Sequence, residues 1–275
     1  MILITESNGQ LGYDFQRLFD EIKEKYIATD VNNLDITDIN KVKEFVQNKD
    51  ISLIINCVAY KAEDEPELCR KLNSYAPRDL AIVVNRIGAD YITYSTDFVF
   101  DGKKKFSYLE EDIPNPLSIY GKTKLEGEKE VFKVKPDSFI IRTSWVFGIA
   151  NNNFNKQVIN WSKLKDELSI VDDQISLPTY FKDLTCYSWE LIKTKKYGLY
   201  YMSNNGEASK YDQAEYVLNK INWQGKLKRT KTKDFNLKAD RAEYTKLNSE
   251  KLERVINRKI PSWQKGIERF LKEYQ

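Results

Sequence analysis

Strand-like and helix-like stretches alternate through the first half of the chain, and that rhythm restricts the fold more than any other feature. Met1 to Thr5 is a short apolar run, Ser7-Asn-Gly-Gln-Leu-Gly12 supplies a turn, and Tyr13 to Glu24 carries apolar residues at helical spacing. Tyr26 to Thr29 reads as a second strand ending at Asp30, residues 38–48 as a helix, and Ile51 to Asn56 as a third strand. Pro66 to Gly88 is largely helical in pattern, and Tyr91 to Ser95 begins a fourth strand. A helix over Tyr120 to Phe132 precedes a strand at 138–143. Such alternation predicts an α/β fold with a mostly parallel sheet covered on both sides.

Beyond Trp145 the rhythm loosens. Phe154 to Leu164, Asp183 to Thr194, Ser209 to Ile221 and Trp263 to Glu273 have helical patterns. Leu168 to Val171 and Gly198 to Met202 are extended, and Gln174 to Pro178 reads as loop. The expected organisation is a nucleotide-binding domain over 1–145 and a smaller substrate-binding lobe over 146–275, with possible re-entry of the chain into the first domain.

Composition narrows the chemistry. A chain of 275 residues with 41% apolar and 31% charged residues reads as soluble and globular, with no apolar run long enough to span a bilayer. The opening Met-Ile-Leu-Ile-Thr runs straight into Glu6 without a basic leader, and Cys57, Cys69 and Cys186 are scattered and odd in number. A reducing, cytoplasmic setting without disulfides is expected. The chain contains no histidine, which excludes histidine bases and histidine-ligated metals; no metal site is expected. Acid–base work therefore falls to Tyr, Lys, Asp, Glu or a hydroxyl relay. A net charge of +3 is too slight to imply a nucleic-acid partner. The basic run containing Lys226, Lys228, Arg229, Lys231, Lys233, Lys238 and Arg241 reads as solvated surface, with a few members free to face an anionic ligand.

A strand, then Gly9-Gln-Leu-Gly12, then a helix is the start of a Rossmann-type dinucleotide-binding unit. Free N–H groups at the helix start suit a pyrophosphate. Asp30, at the end of the second strand, is placed to accept hydrogen bonds from an adenosine ribose and favours NADH slightly over NADPH. Asp35 and Ile36 are placed to flank the adenine. The full fingerprint has glycine at position 6, where this chain has Glu6. Its side chain adds a Cβ and a negative charge near the diphosphate, unless it points outward or pairs with a lysine.

Tyr120 and Lys124 stand one helical turn apart in Ser118-Ile-Tyr-Gly-Lys-Thr-Lys124. A lysine charge beside a phenol favours its phenolate and makes it a usable proton donor or acceptor. A hydroxyl partner stands upstream in Tyr94-Ser-Thr-Asp-Phe-Val-Phe100. Together they look like the proton-handling half of a carbonyl reduction.

In combination the chain resembles the dTDP-4-dehydrorhamnose reductase family of the extended short-chain dehydrogenase/reductase superfamily. The resemblance runs through Ile2-Leu-Ile-Thr, Gly9-Gln-Leu-Gly12, Leu34-Asp-Ile-Thr37, Ser95-Thr-Asp-Phe-Val-Phe-Asp-Gly102 and Tyr108-Leu-Glu-Glu-Asp-Ile-Pro-Asn-Pro-Leu117. It is strongest in Tyr120-Gly-Lys-Thr-Lys-Leu-Glu-Gly-Glu128 and Arg142-Thr-Ser-Trp-Val-Phe-Gly148, and continues through Asp173-Gln-Ile-Ser-Leu-Pro-Thr179, Arg241, Leu247-Asn248 and Pro261-Ser-Trp263. It implies Thr96, Tyr120 and Lys124 as the catalytic triad. Gly9, Gln10, Leu11, Gly12, Asp30, Asp35, Ile36, Cys57, Val58, Ala59 and Tyr60, with Tyr120 and Lys124, would hold NADH or NADPH, and Asn56 precedes that third-strand group. Trp145 would line a deoxysugar pocket with Asp97, Phe98, Asn153, Gln174 and Arg241; Asn115, Phe154 and Thr179 are further candidates.

The implied reaction is reduction of the C4 ketone of a 4-keto-6-deoxy sugar nucleotide, foremost dTDP-4-dehydro-L-rhamnose to dTDP-L-rhamnose, by a possible homodimer without membrane or nucleic-acid partners. Alternatives are a reductase or epimerase for another nucleotide sugar, and a non-catalytic protein resembling the methionine adenosyltransferase regulatory subunit. Three departures accompany Glu6: Tyr60-Lys-Ala-Glu-Asp-Glu-Pro-Glu67 is about three residues short, Ser176 replaces a glycine, and Tyr200-Tyr201 replaces a tyrosine–histidine pair.

Overall fold

Ile2-Leu-Ile-Thr5 and Leu53-Ile-Ile-Asn56 carry no exposed position, as strands buried on both faces require. In the computed structural model, which describes residues 1–235 and 240–274, they are the centre of a parallel sheet. The first half of the chain runs β1 (Ile2–Thr5), α1 (Gln10–Ile22), β2 (Tyr26–Ala28), α2 (Ile39–Gln47), β3 (Leu53–Asn56), α3 (Pro66–Arg70), a π-helical turn (Lys71–Tyr75), α4 (Ala76–Ile87), β4 (Asp90–Thr96), α5 (Ile119–Val134) and β5 (Phe139–Thr143). The second runs β6 (Val146–Phe147), α6 (Phe154–Leu164), β7 (Glu167–Val171), β8 (Ile175–Ser176), β9 (Thr179–Tyr180), α7 (Phe181–Thr194), β10 (Gly198–Tyr201), β11 (Ala208–Ser209), α8 (Lys210–Lys220), β12 (Lys226–Thr230), α9 (Glu250–Ile256) and α10 (Trp263–Tyr274).

The main sheet has six strands in the order β10-β5-β4-β3-β1-β2, paired in parallel throughout. Alternate residues feed two cores. Ile2, Ile4, Leu53, Ile55, Ile92 and Ile141 join Phe15 and Phe19 of α1 and Leu184 and Leu191 of α7 on one face. Leu3, Ile54, Tyr91 and Ile140 pack against α2, α4 and Val131 of α5 on the other. After residue 180 the chain returns to this sheet: α7 packs on α1, and β10 pairs with β5. A third core gathers Val158 of α6, Leu168 of β7, Val217 of α8 and Trp263 and Phe270 of α10.

Three local features depart from the expected pattern. Ile175–Ser176, within the segment read as loop, pairs antiparallel with β11. Lys226–Thr230, within the basic run, is a strand paired in parallel with β7. A neighbouring edge, rather than its own apolar content, holds β12 in place, and its charges pair with acids: Lys228 with Glu167 at 2.6 Å and Lys231 with Asp172 at 2.8 Å. Arg241 reaches the cavity described below; Lys238 lies outside the described residues. Helix α9 is the third departure, short and seated on α7.

A buried ion pair braces the site-bearing helix against the sheet. Arg142 of β5 donates through Nε to Glu128 Oε1 at 2.9 Å and through Nη2 to Oε2 at 2.6 Å, and through Nη1 to the Tyr201 hydroxyl at 2.9 Å. Both charged side chains are nearly solvent-free, so removing one strands the other. Arg142→Met is expected to lower stability by about 3–5 kcal/mol in urea unfolding, with Glu128→Gln/Arg142→Met recovering part of that loss.

Candidate active site

The strand order reverses between β1 and β3, and a parallel sheet opens a crevice at such a point, outside the carboxyl ends of its strands. The strand ends are fastened by side chains: the Thr5 hydroxyl donates to Asn56 Oδ1 at 3.0 Å, and Asn56 Nδ2 donates to Thr93 Oγ1 at 3.1 Å. Above them the loop after β1 faces the loop after β3. Glu6, Asp30, Leu34, Asp35, Ile36, Val58, Ala59 and Tyr60 line a cleft of about 290 Å³ there.

Helix α1 begins at Gly9 without a side-chain cap, leaving its first N–H groups to a ligand. A Cβ on Gly12 would stand 2.4 Å from the Glu6 carbonyl oxygen, so only glycine lets the helix sit this close to the loop. Asp30 accepts from the backbone N–H groups of Val31 at 2.8 Å and Asn8 at 3.3 Å. Asp35 accepts from the N–H and hydroxyl of Thr37, bonds that hold its carboxyl below the usual range despite partial burial. Gln10 reaches sideways to the Asn152 carbonyl at 3.2 Å, whereas Leu11 and Cys57 turn into the sheet's core. Burial, reinforced by the Glu6 carboxylate, pushes the Cys57 thiol well up. This donor set fits a dinucleotide, with one misfit. Glu6 does not point outward, and it forms no ion pair with a lysine among the described residues; it turns into the crevice and accepts the Ala59 N–H at 3.1 Å.

At the other side of the strand ends, a cavity of about 480 Å³ is lined by Thr96, Asp97, Phe98, Tyr120, Trp145, Phe154, Gln174 and Arg241, and by two lysines that the sequence did not single out, Lys61 and Lys210. Helix α5 is aimed into it by its own N-terminus. Ser118 caps the Gly121 N–H at 3.1 Å, and Glu63 accepts from Ile119 N at 2.9 Å and Tyr120 N at 3.3 Å. A Cβ on Gly121 would meet the Phe98 carbonyl at 2.2 Å, so this glycine permits the close approach that sets Tyr120 beside Thr96. The Tyr120 ring packs edge-on to Phe98 at 5.8 Å, and the Lys61 ammonium lies 4.8 Å from its centroid.

The acid–base character differs from the expectation that Lys124 favours a phenolate. Burial, with the Asp97 charge, raises the Tyr120 pKa well above that of an ordinary tyrosine, against a weaker pull from a Thr96 hydrogen bond. The free protein thus carries Tyr120 as the protonated phenol, and the shift favours the phenolate less than in an ordinary tyrosine. One turn along, Lys124 is buried, and burial lowers it to about 8 against the support of Glu128 and Glu6.

Asp97 is buried, and burial raises its carboxyl against the hydrogen bonds it accepts. These come from Thr245 Oγ1 at 2.6 Å, Ser176 Oγ at 3.1 Å and Thr96 Oγ1 at 3.2 Å. Ser176, the departure from glycine, thus holds Asp97. Lys61 keeps solvent contact across the cavity mouth although protein surrounds its ammonium, and that crowding lowers its pKa. Lys210 Nζ sits 3.5 Å over the Trp145 ring and 4.6 Å from that of Phe154, and burial lowers it strongly. Trp145 itself adopts φ +42°, a left-handed conformation that turns its ring toward this cavity.

Three candidates stand elsewhere. Asn153 caps α6 and donates to the Gly148 carbonyl at 2.7 Å, Thr179 is buried in β9, and Asn115 bonds Asp101 at 3.0 Å. Asn73, unmarked in the sequence, ties the β3 loop to α5: it accepts from Tyr60 N at 2.9 Å and donates to Thr123 Oγ1 at 3.1 Å.

The family model described as RmlD substrate binding domain matches residues 1–275. The dTDP-4-dehydrorhamnose reductase of Escherichia coli K12 is 33% identical over 99% of this chain and 97% of its own length. A crystal structure of a dTDP-4-dehydrorhamnose reductase from Clostridium acetobutylicum superposes with a TM-score of 0.95 at 35% identity, covering 99% of this chain and 98% of that one. That of Bacillus anthracis, solved in complex with NADP, gives the same TM-score of 0.95 at 35% identity and the same coverage of 99% and 98%. The sheet is that of Rossmann-type reductases.

Lys124 carries a testable signature. Its pKa of about 8 in the folded state lies below the 10.5 of an ordinary lysine, so between these values the unfolded chain holds a proton that the folded chain has released. Stability conferred through this group therefore rises with pH across that window. From about pH 8 to 9.5, wild type is expected to gain up to about 1.4 kcal/mol per pH unit relative to Lys124→Met in denaturant titrations. Parallel pH profiles would contradict the buried, weakened ammonium.

Proposed function

We propose, from the premise that this chain belongs to the dTDP-4-dehydrorhamnose reductase family, that it reduces the C4 ketone of a 4-keto-6-deoxy sugar nucleotide, foremost dTDP-4-dehydro-L-rhamnose, with a nicotinamide cofactor. The family is one of reductase enzymes, and both the family model and the Escherichia coli relative match the chain over essentially all of it. The observation that carries the proposal is a neutral, buried Tyr120 beside Thr96, with Lys124 one turn away, in a cavity that also presents Trp145.

Bound in the crevice, a reduced nicotinamide supplies the hydride that C4 receives. The chain's residues handle the rest. As negative charge develops on the ketone oxygen, the Tyr120 phenol gives it a proton and the Thr96 hydroxyl donates a hydrogen bond to it. The resulting phenolate is offset by Lys124 and by Lys61 over its ring. Ketone, hydride and proton together make the alcohol, and tyrosine regains its proton from solvent. Trp145 offers an indole face to the apolar side of a deoxysugar. Among the described residues Lys61, Lys210 and Arg241 line the cavity with one carboxylate, Asp97, and an incoming sugar-nucleotide diphosphate would favour the charged form of the two lysines against the burial that lowers them. Asp30 at the end of β2 places a negative charge where a 2′-phosphate is disfavoured, which supports NADH as the preferred cofactor.

Oxidation of NADH and NADPH against a panel of 4-keto sugar nucleotides tests the proposal. The dTDP-4-dehydro-L-rhamnose reaction is expected to turn over fastest, and Tyr120→Phe to lower kcat by about 10²–10⁴. Oxidation with none of the panel contradicts the reaction assigned; an unaltered kcat in Tyr120→Phe contradicts the proton donor.

A further inference from the structure

Glu6 stands in the backbone conformation for which glycine is suited, with φ +51°. It is half-buried, its carboxylate spans the crevice to the Ala59 N–H at 3.1 Å, and so it links the loops that follow β1 and β3. Its side chain also crowds the glycine loop: a Cβ on Gly9 would stand 3.1 Å from Glu6 Cγ and 3.2 Å from Glu6 Oε1. The same cleft already contains the carboxylates of Asp30 and Asp35. A carboxylate at the first position of the turn therefore fills space and adds negative charge where the crevice is otherwise shaped for a diphosphate.

We infer that Glu6 is an internal occupant of the dinucleotide crevice: it competes with the anionic part of the cofactor for the space between the β1 and β3 loops, and thereby sets cofactor affinity. This inference rests on the reading of that crevice as the dinucleotide site. The charged and titratable groups facing Glu6 are Asp30 after β2, Cys57 after β3, and Tyr120 and Lys124 on α5. Burial, aided by Asp30, pushes the Glu6 carboxyl up to about 7, against the Ala59 N–H and Lys124. An incoming diphosphate opposes the charged carboxylate further, so binding above about pH 7 takes up a proton at Glu6 and weakens as pH rises. Loss of the Lys124 charge near pH 8 adds a second decline, and because Glu6 supports that charge, substitution of Glu6 moves this decline to lower pH.

The test is fluorescence titration of the full chain with NADH and with NADPH, from about pH 6 to 8, for wild type, Glu6→Gly and Glu6→Gln. Calorimetry in two buffers of different ionisation enthalpy counts the proton taken up. Wild-type Kd is expected to rise by up to about tenfold per pH unit above pH 7, with net proton uptake. Glu6→Gly and Glu6→Gln are expected to bind about tenfold more tightly or better near pH 8, without that proton. Glu6→Gln keeps the side chain's size, so its behaviour separates charge from volume. Wild-type binding with the same Kd and proton count as both variants overturns the inference and leaves the dinucleotide reading standing. Failure of all three proteins to bind either nucleotide overturns both.

Discussion

A buried carboxylate, Asp97, holds the two halves of the site together. It follows directly on β4, the strand that carries Thr96, and it accepts hydrogen bonds from the hydroxyls of Ser176 in β8 and of Thr245 in the last part of the chain. Isolated in a protein interior, such a charge is costly; with three hydroxyl donors and the Lys61 ammonium it is compensated. The same carboxylate bonds Thr96 and raises the Tyr120 phenol. Cross-linking of distant segments and the shift of the Tyr120 phenol thus act through one side chain.

Geometry supplies the rest of the poise. Gly121 and the Glu63 cap bring the start of α5 against the turn after β4, so the Tyr120 phenol is fixed by backbone packing rather than by a flexible loop. Lys124 is set between Glu128, itself clamped by Arg142, and Glu6 of the glycine loop. The lysine is therefore coupled electrostatically both to the buried ion pair bracing α5 and to the crevice. Its weakened ammonium follows from that position: burial wins over two carboxylates.

Much of this was legible in the sequence where the governing spacing is short. The unbroken apolar runs Ile2–Ile4 of β1 and Leu53–Ile55 of β3 announce a parallel sheet, and the four-residue step from Tyr120 to Lys124 announces a shared helix face. Proximity was legible, but burial was not, and burial raises the phenol's pKa instead of letting the lysine lower it. Contacts made across the chain were also hidden: Ser176 and Thr245 meet Asp97 over 79 and 148 residues of separation. Strand β12 was obscured because its charged residues gain their strand conformation from β7, and Lys210 because nothing local places it over Trp145. Glu6 was visible as a departure; its direction depended on the position of the β3 loop.

In the proposed reduction a hydride reaches C4 of the sugar while the protein supplies the accompanying proton. NMR of the product formed with cofactor deuterated at nicotinamide C4, using each of the two stereospecifically labelled forms, measures this directly. One form is expected to place deuterium at C4 of the deoxysugar and the other none, with no label at C3 or C5. Absence of deuterium from C4 with both forms, or product formed without net oxidation of the cofactor, would contradict the account.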